Sequence, residues 1–518
     1  MGVSDEEGSL FSFLRGSLSA QTTLTISLGL LIIHLFRTWW PLRKIPGPFW
    51  AKFTNLQRVS WVKSGRAHLI FQQMHEKYGD VVRMGPNMVS VSNPKAIPTI
   101  YPMRAGVPKG DFYTALRAYS RKGGALKLVF NTQDEETLKS IKNPIAPLFS
   151  QSSITKYEPM VNDVLGQLQK QIEARFVKTE TTCDLGDWIQ YFAFDVMGTM
   201  TFSRRYGFLD DGKDENGMIE RIFHHMKTAA PMTQIPWLDK YLYKNWLVDT
   251  FRKTPGLAIL KFVNQVIAER QKSGIEEKQA KTAPSAEKDL LARYLEIQTK
   301  SPGTPPWAAT AWVFTNVIAG SDSVGTIIRT TMFNLLTHRR TLEKLRQELL
   351  AAQVSRPYPS WEEVRELPYL DACVQEGGRM HPPFALPLER QVPAEGMDIL
   401  GHYLPKGTAV GGNPYVSNRH MGTFGQDAEA WRPERWLDQN GAKKKELEQS
   451  MLTFGAGRRI CLGRHLGMLE AKKCISFLVL NYELQIVDPH LFTVENAWFF
   501  KQTGFYARLK YRETDSSV

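Results

Sequence analysis

Phe454-Gly455-Ala456-Gly457-Arg458-Arg459-Ile460-Cys461-Leu462-Gly463 lies near the carboxyl end of a 518-residue chain and runs straight into the helical pattern Leu466, Leu469, Ile475 and Leu478. Its glycines let the backbone pass close to something flat and bulky, and its two arginines supply fixed positive charge. The cysteine opens a helix whose dipole favours an anion. Together these features suit a thiolate bound to metal. An isolated free cysteine is most often a small buried hydrophobe, but the spacing here argues otherwise. Phe454, Gly457, Arg459, Cys461 and Gly463 fit F-x-x-G-x-R-x-C-x-G, and five such matches arise by chance about once in ten thousand chains of this length.

The pattern resembles the haem-binding loop of cytochromes P-450, and three further motifs follow that family's order. Glu376 and Arg379 form an E-x-x-R pair, and Pro433-Glu434-Arg435-Trp436 is similar to the P-E-R-F/W box. Ala319-Gly320-Ser321-Asp322-Ser323 resembles A-G-x-D-T with serine in place of threonine. The similarity covers nearly the whole chain and implies a mainly α fold with small β-sheets, preceded by one transmembrane helix.

Composition is consistent with a single large catalytic domain, because no break in it separates independent cores. Lys and Arg total 65 against 52 Asp and Glu, a formal charge of +13. That charge is too scattered for a nucleic-acid reader and suits acidic partners or anionic lipid. The four cysteines, Cys183, Cys373, Cys461 and Cys474, show no C-x-x-C and no regular spacing. A disulfide framework and a zinc site are both disfavoured.

Residues 1–17 form a polar tail, and residues 18–36 form an apolar run just long enough to span a bilayer. Arg37, Arg43 and Lys44 follow it, which places the carboxyl side in the cytosol. A cleaved signal peptide would carry its basic end before the apolar run, so a retained signal anchor is expected. Residues 37–50 are a basic and proline-rich hinge containing Ile45-Pro46-Gly47-Pro48, and residues 51–518 are the catalytic domain. Similarity to microsomal members implies a single-pass protein of the endoplasmic reticulum membrane with a cytosolic catalytic domain.

Val81–Met84 and Met88–Val91 read as a small antiparallel hairpin turning at Gly85-Pro86-Asn87. A long irregular region to about Phe130 follows Tyr101, and by resemblance it would cover the substrate. In 135–150 the chain departs from its relatives, which carry a Trp or His and then an Arg to hold a haem propionate; Leu138 and Lys142 stand there. A lysine donates to a carboxylate without arginine's bidentate fork, and a surface lysine is the alternative.

Residues 155–270 are expected to be helical, and Lys272 to Lys288 to form an exposed polar linker. Thr304-Pro305-Pro306 reads as a cap opening a helix from Trp307 to about His338, ~32 residues and ~48 Å long. Asp322 and Arg329 argue for a buried central helix rather than a second membrane span. Ser360 and Glu363 form a capping box, and Pro368 opens the helix of Glu376 and Arg379. By resemblance, Arg435 joins that pair in a buried triad that steadies the cysteine loop. Gly377 and Gly378, costly in mid-helix, have no explanation in the sequence.

The resemblance further implies haem b with Cys461 as axial ligand, Phe454 shielding the sulfur, and Arg459, Arg390 and Lys142 at the propionates. Gly457 and Gly463 would shape the loop, and Gly320, with Ala319 beside it, would leave room for O2. Asp322 and Ser323 would relay protons, although buried helical serines often bond back to the carbonyl four residues earlier. Asn316, Pro383–Leu386 and the turn at 500–503 would line the substrate pocket. No nicotinamide or flavin fingerprint occurs, so electrons would come from NADPH through a cytochrome P-450 reductase, with cytochrome b5 as a second donor. Arg458, Arg464, Lys472, Lys473 and Lys443–Lys445 are candidates for its docking patch.

These readings describe a membrane-anchored monooxygenase that inserts one oxygen atom of O2 into a lipophilic small molecule. The wording around Asn413-Pro414-Tyr415-Val416 resembles the fungal secondary-metabolism branch, near the pisatin demethylase-like group. The alternatives are a membrane-tethered non-catalytic haem or ligand-binding protein, favoured by Leu138, Lys142 and Ser323, and an oxygen-independent isomerase or dehydratase of the same fold.

Overall fold

The computed structural model describes residues 4–120, 124–214, 217–245, 247, 251, 255–280, 288–437 and 441–512. The chain opens with helix α1, Ser4–Trp39, so the expected polar tail is part of the same helix rather than a separate segment. Residues Gln21–Leu42 are long and apolar enough to cross a membrane, and their apolar stretch is not buried in protein. At their end the chain turns at Trp40–Leu42, where Leu42 is buried, into the proline-rich hinge.

The hinge ends on the first strand. Arg83 donates its backbone N–H to the Pro46 carbonyl at 2.7 Å, and a Cβ at Gly47 would meet the Arg83 carbonyl oxygen at 2.2 Å. Glycine is therefore required at that contact. Strands β1 (Val81–Gly85) and β2 (Met88–Val91) pair antiparallel, with Val81 opposite Val91. They are not an isolated hairpin. Strand β3 (Arg390–Gln391) and strand β4 (Ala409–Gly412) extend them into a four-stranded sheet of order β1-β2-β4-β3, with β2 parallel to β4. A two-residue strand such as β3 carries no periodic signal, which is why the sequence shows only a hairpin.

The helical body is built on α2 (Glu135–Lys142), α3 (Glu158–Ile172), α4 (Leu185–Phe202), α5 (Met218–Met232) and α6 (Pro255–Ala280). Helix α6 runs through the first part of the expected linker; of the rest, 281–287 lie outside the described residues. The region from Tyr101 to Phe130 is less irregular than expected, holding a short helical turn at Asp111–Leu116 and the paired strands Tyr119–Ser120 and Gly124–Ala125.

At the centre stands α7, Ala308–Thr337, 30 residues long. Thr304 does not cap it: the helix starts from Trp307 without a side-chain cap, and the Thr304 hydroxyl has no partner. Helix α4 packs along α7, as do α8 (Pro368–Met380) and α9 (Arg464–Asn481). The contact with α8 accounts for Gly377, where a Cβ would lie 2.1 Å from Thr331 Oγ1 of α7. Gly378 faces Thr453, whose Cγ2 would be 3.1 Å from an added Cβ. The capping box at Ser360 and Glu363 forms as expected. Strands β5 (Thr493–Asn496) and β6 (Phe500–Thr503) close a second hairpin near the carboxyl end.

Candidate functional site

The cysteine loop hangs between two fixed ends. At its start, the Cys461 N–H donates to the Phe454 carbonyl at 2.9 Å. Gly455 and Gly457 hold φ of +67° and +62°, a region that side chains rarely enter. A Cβ at Gly457 would sit 2.0 Å from the Tyr101 carbonyl oxygen, and Arg458 N–H donates to Pro102 at 3.1 Å. The expected close approach at Gly457 is thus to another stretch of the chain. At the far end Gly463 precedes α9, so Cys461 lies three residues before the helix rather than opening it.

Burial pushes the Cys461 thiol up, while the amides of Gly463 and Arg464 and the charges of Arg464 and Lys142 pull it down. The side chain nevertheless keeps exposed surface. Ala319 on α7 is exposed as well, although most of that helix is buried. Helices α7 and α9 meet where Gly467 approaches Val324, 3.3 Å from an added Cβ. Ala319 lies five residues along α7 from that contact, about 7 Å on the helix axis.

A buried network holds the loop from behind. Arg379 grips Glu376 bidentately, Nε to Oε2 and Nη2 to Oε1, each at 2.8 Å. Arg435 Nε donates to Glu376 Oε1 at 2.9 Å, and Trp436 Nε1 donates to Oε2 at 2.9 Å. Burial alone would raise the Glu376 carboxyl, but the Arg379 bonds and both guanidinium charges hold it below its ordinary value. Arg379 also donates to the Asn418 carbonyl at 3.1 Å. Asn418 accepts from Leu452 N–H at 2.9 Å and donates to Thr453 Oγ1 at 2.9 Å, Leu452 and Thr453 being the two residues just before the loop. The triad therefore reaches the loop through Asn418 and Thr453, which the motifs did not reveal.

Beside the loop, positive charge accumulates. Lys109 is buried, donates to the Phe130 carbonyl, and lies 4.0 Å above the Tyr113 ring. Burial holds its ammonium well below the ordinary lysine range, and the charges of Arg390, Arg459 and Lys142 add to that. Arg390 is buried and donates to Tyr113 Oη at 3.3 Å. Arg459 pairs with Glu135 at 2.6 Å, and Arg458 flanks the same carboxylate at 2.9 Å. Lys142 donates to the Arg458 carbonyl at 2.6 Å, while Leu138 is buried in the core. Lys109 appears in no motif, and a single loop lysine gives no sequence signal.

The cluster and the cysteine test the fit to haem. Among the described residues no three His, Cys, Asp or Glu side chains gather to hold a metal ion. A lone thiolate suits a metal whose remaining ligands come from a macrocycle. Five buried or half-buried cations, two of them sharing Glu135, need anionic partners, and two propionates would provide them. The residues fit the group.

On α7, Asp322 accepts a close hydrogen bond from Gln190 Nε2 of α4, and burial pushes its carboxyl up to about 6 against the opposing Arg329 charge. Ser323 Oγ donates to the Ala319 carbonyl at 2.7 Å, the bond back along the helix that the sequence allowed as an alternative. Gly320 packs against α4, where an added Cβ would lie 2.4 Å from Met197 Cε, and Ala319 beside it is exposed. Asn316 is likewise occupied by Thr201 and Tyr294, at 3.2 Å each, so it does not face a pocket.

The Cytochrome P450 family pattern matches residues 44–501. The chain belongs to the cytochrome P450 family. It is 59% identical to the cytochrome P450 monooxygenase mfmA of Annulohypoxylon moriforme over 93% of this chain and 95% of that protein. A cytochrome P450 monooxygenase of Aspergillus flavus is 50% identical over 95% of this chain and 98% of its own length. The cytochrome P450 monooxygenase asR2 of Sarocladium schorii is 49% identical over 95% and 96%. Membership of the cytochrome P450 family implies a haem with thiolate ligation, O2, a small-molecule substrate and a redox partner.

Proposed function

We propose that this cytochrome P450 monooxygenase is anchored in the endoplasmic reticulum membrane by α1 and inserts one oxygen atom of O2 into a lipophilic intermediate of natural-product biosynthesis. Electrons would reach it from NADPH through a separate reductase, with cytochrome b5 as a second donor. The observation that carries the reading is Cys461, exposed three residues before α9 with the Gly463 and Arg464 amides turned to its sulfur.

Cys461 would hold haem b through its thiolate, with Phe454 packed nearby, and Lys109, Arg390 and Arg459 would take the propionates. Bound haem supplies oxygen binding and the electron transfer that activates it. The chain's own residues govern protons and access. Asp322 lies near the balance point between acid and carboxylate at neutral pH, the condition that suits a group giving and regaining protons. Ser323 keeps acceptor lone pairs while it donates to Ala319, so it would pass a proton along the distal wall by turning its own O–H away from that carbonyl as it accepts another. Of the basic residues expected to dock the reductase, Lys472 and Lys473 are buried, paired with Asp371 at 3.0 Å and Glu158 at 2.6 Å. Arg464, Lys443 and Lys445 remain exposed for that role.

The test compares the dithionite-reduced protein, with and without carbon monoxide, between wild type and Cys461→Ser. A strongly red-shifted Soret band present in the wild type and lost in the variant is expected. An identical spectrum in both would overturn the ligand assignment.

A further inference from the structure

Asp322 is half-buried in the wall between α4 and α7, and Gln190 is the side chain that hydrogen-bonds it. Gln190 is itself buried, and its Oε1 has no hydrogen-bond partner. An orphaned amide oxygen beside a carboxylate is costly unless some state of the protein satisfies it. The far side of the amide is kept open by Gly325 of α7, where an added Cβ would lie 2.8 Å from Gln190 Oε1. The terminal torsion of a glutamine is broad and nearly two-fold, so the amide can turn over about its own axis without moving its stem.

We propose that Gln190 is a positioning residue that serves Asp322 in both protonation states, donating through Nε2 to the carboxylate and, after its amide turns over, accepting through Oε1 from the carboxylic acid. One proton leaves Asp322 for the distal pocket and one from bulk water replaces it; Gln190 is neither protonated nor consumed. Gly325 is part of the device because it leaves the amide room to turn. The inference rests on Asp322 being the proton donor of the distal wall.

The charged groups around Asp322 are accounted for. Arg329 lies on its own helix and interacts with Asp322 and with Asp184 and Asp187 at the start of α4. Arg329 Nε donates to Gln502 Oε1 of β6 at 3.1 Å, and Lys501 of β6 faces Asp187. None of these replaces the Gln190 contact.

The experiment uses the full-length haem protein and follows the carboxylic-acid C=O band of Asp322 by infrared difference spectroscopy across pH, assigned by its loss in Asp322→Asn. In Gln190→Leu both forms lose their partner, but the charge-assisted bond to the carboxylate is the stronger of the two, so the midpoint should move upward, toward the neutral form. Gly325→Ala keeps the glutamine but crowds its amide and should shift the midpoint as well. Peroxide released per NADPH, measured with reductase and no added substrate, should rise in Gln190→Leu. An unchanged midpoint in Gln190→Leu that retains the wild-type haem spectrum overturns the proposal. If Asp322→Asn removes the band but leaves the peroxide yield unchanged, the relay role of Asp322 fails while the Gln190 contact is judged by the band alone.

Discussion

Single residues carry opposite kinds of legibility in this protein. Cys461, Glu376, Arg379 and Arg435 stand in spaced motifs, so their roles could be anticipated from the chain. Lys109 could not, because what marks it is burial beside Arg390, Arg459 and Lys142, a coincidence of segments hundreds of residues apart. A buried ammonium without a carboxylate is expensive, and a haem propionate is the partner that relieves it. Lys109→Met should therefore lose haem to apomyoglobin several-fold faster than wild type, with Lys109→Arg restoring retention. Lys142→Met should change the rate less, since the Lys142 ammonium is engaged by the Arg458 carbonyl at 2.6 Å. Equal loss rates for wild type and Lys109→Met would remove Lys109 from the site.

Where elements meet, two glycines that cost helical stability acquire a purpose. Gly377 lets α8 approach α7 so closely that a Cβ would lie 2.1 Å from Thr331 Oγ1. Without that approach, Glu376 and Arg379, which flank Gly377 and Gly378, would not reach the segment that carries Asn418. Gly377→Ala should destabilise the protein by about 1–3 kcal/mol, the usual cost of overpacking, and lower haem content. Adding Thr331→Ala should recover part of the loss, measured as the urea midpoint of the two variants side by side. Additive destabilisation with no recovery would mean that the contact is not the constraint. The helical pattern and Pro368 were enough to place α8; the reason for its glycines lay on its neighbour.

Across the whole molecule, Arg83 joins the anchor to the catalytic domain. It is fully buried in the first sheet and donates to the carbonyls of Thr38 at 2.8 Å and Trp39 at 2.9 Å, the last turn of α1. It also reaches Lys52 at 3.2 Å and Pro86 at 2.6 Å. A guanidinium is suited to gathering several carbonyls at once and favours a helix carboxyl end. Arg83→Met should leave the anchor apolar but loosen the hinge, seen as several-fold faster trypsin cleavage after Arg43 and Lys44 in membrane-bound protein. Unchanged cleavage would count against the clamp. By itself the sequence determined the family, the cysteine loop, the Glu-Arg-Arg triad, the central helix and the apolar amino-terminal run, because each is written in local spacing or in period. Only the tertiary structure decided that Gly320 packs against Met197, that Lys472 and Lys473 are buried, that Lys109 lies among Arg390, Arg459 and Lys142 and that Gln190 faces Asp322. Those outcomes depend on which side chains are brought together and shut off from water, and no local pattern encodes that.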